Sequence, residues 1–287
     1  LGSLFVFSPV HADLNTGLVA QYSFDDCTAK DNSGNGHDGT INGNPQCVDG
    51  VKGKAFSFDS DANYLKLNVS TADLFSNDFS IGTWVKFYNF QNSYPTIIQA
   101  ENSNVSFSGL GSAYPTNIQK QIEFFQQNKD GYPISRTGQM NPSVKLEENK
   151  WYFATIVKAG LQFKMYLNSS VITTTTATKS IVMDGSFITV GASAYYPSSV
   201  MNGELDDLRI YNRALSEAEV TSLYNMGQLS GTVNGVQKYS AVCKNTKTSV
   251  TKKIAVADGA KEWNCKTAGL QTKKGDIVTV TITGVSQ

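Results

Sequence analysis

The stretch Met201-Asn202-Gly203-Glu204-Leu205-Asp206-Asp207-Leu208-Arg209-Ile210-Tyr211-Asn212-Arg213-Ala214-Leu215-Ser216 decides the fold class. Along 205–211, Asp206, Leu208 and Ile210 share one parity, while Asp207 and Arg209 share the other. That period of two is the signature of a strand. If Leu208 and Ile210 pack inward, Asp206 points inward with them. A buried carboxylate is costly unless it is paired or binds a metal. The strand runs straight into a helix start: Ser216 caps it and Glu219 completes a capping box. Leu215, Ala218, Val220, Leu223 and Tyr224 form its apolar stripe, and Gly227 supplies a stop. It is the one helix the sequence predicts.

Upstream, short alternating runs are separated by clusters of Gly, Asn, Asp and Ser. Val19, Gln21 and Ser23 oppose Ala20, Tyr22 and Phe24, followed by the turn-rich Asp31-Asn32-Ser33-Gly34-Asn35-Gly36. Further strands are predicted at 54–59, 64–68, 79–88, 95–101, 121–127, 151–158, 160–168, 170–175, 186–192 and 203–211. Ile81, Trp84 and Phe87 are spaced by three, so facing one way together would need a bulge or twist. Trp151, Phe153 and Thr155 alternate with Tyr152, Ala154 and Ile156. Such strands suit two sheets packed face to face, and one helix among them argues against a doubly wound α/β architecture. Residues 89–120 and 128–150, rich in Asn, Ser, Gly and Pro, read as long connections of the kind that carry binding function.

A boundary falls near 228–233. It leaves a large domain at 13–230 and a small basic β domain at 231–287, with strands predicted at 238–243, 249–256, 261–265 and 277–283. The 287 residues are 40 % hydrophobic and only 17 % charged, with 24 Gly, 13 Tyr and 15 Phe, a balance that favours strands and tight turns. Formal net charge is zero, yet the last segment holds nine Lys against three acids and no Arg. Without arginine for bidentate phosphate contacts, nucleic-acid binding is not expected. Residues 1–12 read as the tail of a secretory signal, with Val10 and Ala12 ahead of the cleavage point and Asp13 opening the mature chain. No run is long and apolar enough to cross a bilayer, so direct membrane insertion is not expected.

Four cysteines allow three pairings. Cys27 with Cys47 and Cys243 with Cys265 would staple one module each, whereas the cross-module pairings need distant ends to meet. Each local loop would contribute about 3 kcal/mol in the entropic account, and export supplies the oxidising compartment. No Cys-x-x-Cys spacing favours zinc.

Several blocks in this order resemble laminin-G-like domains of the concanavalin A-like lectin/glucanase superfamily over about residues 15–228. They are Gly17–Asp25, Asp31–Gly36 with Gly39, Gly50-Val51-Lys52-Gly53-Lys54-Ala55-Phe56-Ser57-Phe58, Phe79–Val85 and, most specifically, the opening stretch with Glu219 and Leu223. The resemblance implies an all-β jelly-roll sandwich of two antiparallel sheets; the second, small disulfide-linked β domain read at 231–287 lies outside it. It also implies an extracellular adhesion or glycan-recognition role, at the cell surface, in the periplasm or as a secreted protein, often with calcium near one edge.

Calcium takes six to eight oxygens in a flexible loop. Asp26, Asp31 and Asp206 are the expected side-chain ligands, with Asn35 next, and the ion would be structural, tying an early loop to the last strand. Asp25 and Asp26 point oppositely on an extended chain, so one of them would face solvent. The alternative for these acids is turn capping with no metal. For a glycan, Tyr114, Tyr132, Tyr195 and Tyr196 in the loops are the expected aromatic contacts, beside Asn and Gln. A catalytic pair is not expected. Glucanases of the superfamily carry Glu-x-Asp-x-x-Glu on one strand, whereas Glu204-Leu205-Asp206-Asp207 lacks the third carboxylate and Glu123 stands alone. The expectation is therefore a non-catalytic recognition or adhesion protein whose partner is a glycan or a cell-surface protein. A structural role in a surface assembly is the alternative.

Overall fold

A computed structural model describes residues 13–75, 77–90, 95–100, 105–110, 120–126, 144–177, 185–193, 199–228, 239–245, 251–256 and 278–284. The chain divides into two compact units, Leu1–Asn225 and Met226–Gln287. The first opens with β1 (Leu18–Tyr22), β2 (Gly39–Asn42), β3 (Gln46–Asp49), β4 (Lys54–Phe58) and β5 (Tyr64–Leu67). A one-turn helix, α1 (Thr71–Phe75), leads to β6 (Phe79–Phe87), β7 (Thr96–Ala100), β8 (Val105–Leu110) and β9 (Gln121–Gln126). Then come β10 (Trp151–Ala159), β11 (Gln162–Leu167), β12 (Ser170–Thr176), the short β13 (Ile188–Val190), β14 (Gly203–Tyr211) and α2 (Glu217–Gln228).

These strands form two antiparallel sheets. The larger runs β12-β11-β10-β6-β14-β4-β3, with β1 also on β14. The smaller runs β2-β5-β13-β7-β8-β9. Between them lies one apolar core, to which alternate residues of both sheets contribute: Ile81, Val85, Phe87, Leu205, Leu208 and Ile210 from one, Leu65, Ile98, Phe124 and Val190 from the other. The expected jelly-roll sandwich is the fold observed. Cys27 and Cys47 form a disulfide whose Cα atoms are 5.6 Å apart. Among the described residues no helix is long and apolar enough to cross a membrane.

Three local expectations are corrected. Trp84 does not join Ile81 and Phe87. β6 keeps strict alternation, so Trp84 faces the opposite side, with Phe153, Val157, Tyr166 and Tyr211 beneath Val220 and Leu223 of α2. β8 lies inside a segment read as a long connection, and β2 and β3 were not expected. All three are short or polar, and tertiary pairing holds them where local propensity does not. The helix forms as read: the Glu219 N–H donates to Ser216 Oγ at 3.3 Å, and Glu219 Oε2 accepts from the Ser216 N–H at 2.8 Å. It runs one residue beyond Gly227.

The second unit contains a three-stranded antiparallel sheet, β15 (Tyr239–Asn245) between β16 (Thr251–Val256) and β17 (Val278–Gly284). Cys243 sits in β15. Its expected partner Cys265 lies outside the described residues, as does the strand read at 261–265.

Phe79 joins the two sheets through its ring, 6.1 Å from Phe124 of the smaller sheet and 6.4 Å from Phe163 of the larger. Phe79→Ala should lower the unfolding free energy by about 3–5 kcal/mol, read as a lower urea midpoint at unchanged slope. A loss under ~1 kcal/mol would show that the sheets do not pack through this ring.

Candidate functional site

The expected calcium ligands do not converge. Asp31 is a turn cap: Oδ1 accepts from the Gln21 N–H at 3.0 Å and the Ser33 N–H at 2.8 Å. Its Oδ2 accepts from Ser33 Oγ at 2.9 Å and the His37 N–H at 3.0 Å. Burial works to raise this carboxyl's pKa, but those hydrogen bonds outweigh it and hold the group below its ordinary value. Asn35 points its amide at the Leu18 and Val19 carbonyls, locking the same bend to β1. Asp26 is exposed and caps its own turn through Thr28. Among the described residues no three His, Cys, Asp or Glu side chains gather as a metal site.

Asp206 is elsewhere and in a different state. β14 pairs with β6 along its length, but its other edge changes partner: Gly203–Leu205 pair with β4, and Leu208–Tyr211 pair with β1. At the change the strand bulges, and Asp207 takes a positive φ of 44°. The bulge resets the parity. Leu205 and Leu208 both enter the core, and Asp206 emerges on the outer face beside Trp84, not inward with Leu208 and Ile210. It is nonetheless 0 % exposed, because the β3–β4 turn folds over it. Val51 of that turn packs against the Trp84 cluster, and the Lys52 N–H donates to Asp206 Oδ2 at 3.0 Å. Oδ1 has no partner. Burial pushes this carboxyl up to about 7, against the Lys52 hydrogen bond and with the Asp207 and Asp25 charges adding. Asp207 itself pairs with Arg209 at 3.3 Å.

The acid that approaches Asp206 is Asp25, not Asp26. Asp25 Oδ1 accepts from the Lys54 N–H at 3.1 Å, at the end of the same turn. Two glycines make this approach feasible: a Cβ on Gly50 would strike Asp206 Oδ2, and one on Gly53, whose φ is +65°, would strike Asp25 Oδ1. An unpartnered buried carboxylate oxygen, a second carboxylate and a turn closed down by glycines fit a hard cation such as calcium. Asp206 and Asp25 would hold it, and its charge would offset the burial of Asp206.

A second polar constellation lies on the face of the smaller sheet turned away from the core. Lys66, Thr189 and Gln99 stand directly opposite one another across β5, β13 and β7, and Glu123 and Gln121 share that face on β9. Thr189, Gln99 and Glu123 are nearly inaccessible, at 2, 5 and 4 %. The side-chain oxygens Oε1 of Gln99 and Gln121 are buried without a hydrogen-bond partner. Lys66 Nζ lies 4.0 Å from the centroid of the partly exposed Phe187 ring. The sequence carries the signal: Lys66, Thr189, Gln99 and Glu123 each sit between two apolar residues in strands that otherwise feed the core. The loop tyrosines expected to contact a glycan, Tyr114, Tyr132, Tyr195 and Tyr196, lie outside the described residues. Glu204 and Asp206 do share one face, but the turn roofs Asp206, so the two do not flank an open substrate position.

The fold defines a lectin-type sandwich. Residues 59–221 match the Laminin_G_3 family of the concanavalin A-like lectin/glucanases superfamily, and the chain belongs to it. Among curated proteins no sequence matches. Similar solved structures include domain 4 of AbnA, a GH43 extracellular arabinanase from Geobacillus stearothermophilus, in complex with arabinotriose. It is 23 % identical with a TM-score of 0.57, over 72 % of this chain and 98 % of that one. The binding domain of Paraclostridial Mosquitocidal Protein 1 is 16 % identical with a TM-score of 0.59, over 94 % and 76 %. The binding domain of Botulinum Neurotoxin DC in complex with SialylT is 16 % identical with a TM-score of 0.59, over 88 % of this chain and 64 % of that one. At these identities the likeness is one of fold.

For Asp206 the sign of the pH effect is fixed. Its folded pKa is raised above the unfolded value of about 4, so between the two the folded state binds the extra proton and stability falls as pH rises. In chelator, the protein should be more stable at pH 5 than at pH 8 by roughly 2–3 kcal/mol. Asp206→Asn should remove that part of the pH dependence; urea melts of both proteins at the two pH values check it. An equal pH response in wild type and variant would mean that Asp206 is solvated.

Proposed function

We propose that the large unit is a non-catalytic, extracellular carbohydrate-recognition module, binding glycan across the outer face of the smaller sheet. The observation that carries this reading is the pair of orphaned amide oxygens, Gln99 Oε1 and Gln121 Oε1, set among Thr189, Lys66 and Glu123 on the side of the sheet that does not feed the core. A buried amide left unsatisfied costs about 1–3 kcal/mol, and a sugar hydroxyl would supply the missing donor once the face opens to admit it. Phe187 beside Lys66 adds an apolar ring edge of the kind that contacts sugar carbons. Oxidised Cys27–Cys47 supports an export compartment. The arabinotriose and SialylT complexes of the similar structures support the ligand class.

A glycan array followed by calorimetry tests this. Gln99→Ala and Thr189→Ala should each weaken binding of the best hit by about tenfold, roughly 1.4 kcal/mol, while the unit still unfolds in one cooperative transition above the assay temperature. Unchanged affinity in both variants would exclude the sheet face.

We further propose that Asp206 and Asp25 hold a structural calcium ion. Calcium at about a hundredfold excess over its Kd should stabilise the unit by ~2.7 kcal/mol. Thermal melts in calcium and in chelator should therefore differ in wild type and coincide in Asp206→Asn. Coincident wild-type curves would remove the ion.

A further inference from the structure

The outer face of the larger sheet has two halves. One is closed by α2 and the β3–β4 turn. The other carries a straight row of cross-strand neighbours: Trp151 opposite Lys86, Lys86 opposite Glu204, and Glu204 opposite Ser57. All four alternate with core residues of their strands, so the row faces outward. Tyr88, just past the end of β6, leans over it: its hydroxyl donates to Glu204 Oε1 at 2.6 Å and lies 3.0 Å from Ser57 Oγ. Lys86 Nζ pairs with Glu204 Oε2 at 2.5 Å. The same ammonium sits 4.9 Å from the Trp151 ring centroid and 5.9 Å from that of Tyr88.

We propose that Trp151, Tyr88, Lys86, Glu204 and Ser57 form a second carbohydrate subsite, one that takes a neutral sugar residue. The chemistry argues for a sugar on two counts. Trp151 and Tyr88 remain partly exposed, flanking Lys86, and two aromatic rings left at a surface give apolar faces that suit the C–H side of a sugar ring. Between them the partly exposed Lys86 ammonium donates to a sugar hydroxyl, while Glu204 and Ser57, buried beneath, hold Lys86 and the Tyr88 hydroxyl in place. The preference for a neutral residue follows from charge. Lys86 and Glu204 cancel each other at contact, so an anionic sugar would meet the Glu204 carboxylate without a spare cation to balance it. A neutral hydroxyl can accept from the exposed side of the Lys86 ammonium without separating the pair.

Trp151 packs its inner side on the apolar cluster beneath α2, which holds the ring without turning its outer side away from solvent. The site needs no movement of the β3–β4 turn and shares no residue with the smaller sheet. It names the ligand class of the carbohydrate reading on a different face, so the two fail separately.

The test is calorimetry of the full chain with maltotriose, cellotriose and xylotriose, and with trigalacturonate as the acidic control. At least one neutral trisaccharide should bind with a Kd that rises about tenfold in Trp151→Ala, and measurably in Tyr88→Phe, which keeps the ring and removes only the hydroxyl. The same affinity should survive Gln99→Ala. The indole N–H resonance of Trp151 should shift on titration. Binding lost in Gln99→Ala but intact in Trp151→Ala and Tyr88→Phe would overturn this subsite and leave the smaller-sheet site standing. Tighter binding of trigalacturonate than of every neutral sugar, or no neutral binding at all, would overturn it as well.

Discussion

All nine residues of β14 are buried, and the strand is hydrogen-bonded on both edges. One of its faces feeds the sandwich core. The other lies under the helix and the β3–β4 turn along most of its length. A strand hidden on both sides has nowhere to leave a polar group unattended, yet this one carries Glu204, Asp206, Asp207 and Arg209. The outer architecture of the larger sheet follows from how each is satisfied: Glu204 by Lys86 and Tyr88, Asp207 and Arg209 by each other, Asp206 only in part.

The incomplete satisfaction of Asp206 gives the β3–β4 turn its meaning. Gly50 and Gly53 bring backbone against two carboxylates where any side chain would collide, and Val51 anchors the turn on the Trp84 cluster. One short turn thereby links the first strands to the last and places a charge where water does not reach. A cation there would turn an electrostatic cost into a clamp. The proposed recognition faces are organised by the same alternation: residues that do not feed the core project as rows, and the row of the smaller sheet holds amides, a hydroxyl, a lysine and a glutamate.

Much of this was legible in the sequence because period-two alternation survives in β1, β4, β5, β10 and β11, and because Ser216 and Glu219 cap α2 through local hydrogen bonds. What was not legible depended on tertiary events. A bulge at Asp207 leaves no signature in a parity count, so parity puts Asp206 on the core face, whereas it is buried on the outer one. Trp84 reads as a core residue and is one, but of the cluster on the other face. Asp31 looks like a calcium ligand by composition. Only the folded bend shows Gln21, Ser33 and His37 already filling its lone pairs. That Asp25 and not Asp26 nears Asp206 depends on where Gly53 lies.

The carbon-13 chemical shift of the Asp206 carboxyl, followed through a pH titration in chelator, measures its desolvation directly. A midpoint near 7, as burial beneath the β3–β4 turn dictates, with a downward displacement on adding calcium, is the result this account predicts. A midpoint near the ordinary aspartate value of about 4 would mean that water reaches the carboxyl, and that neither the turn nor a cation is needed to explain it.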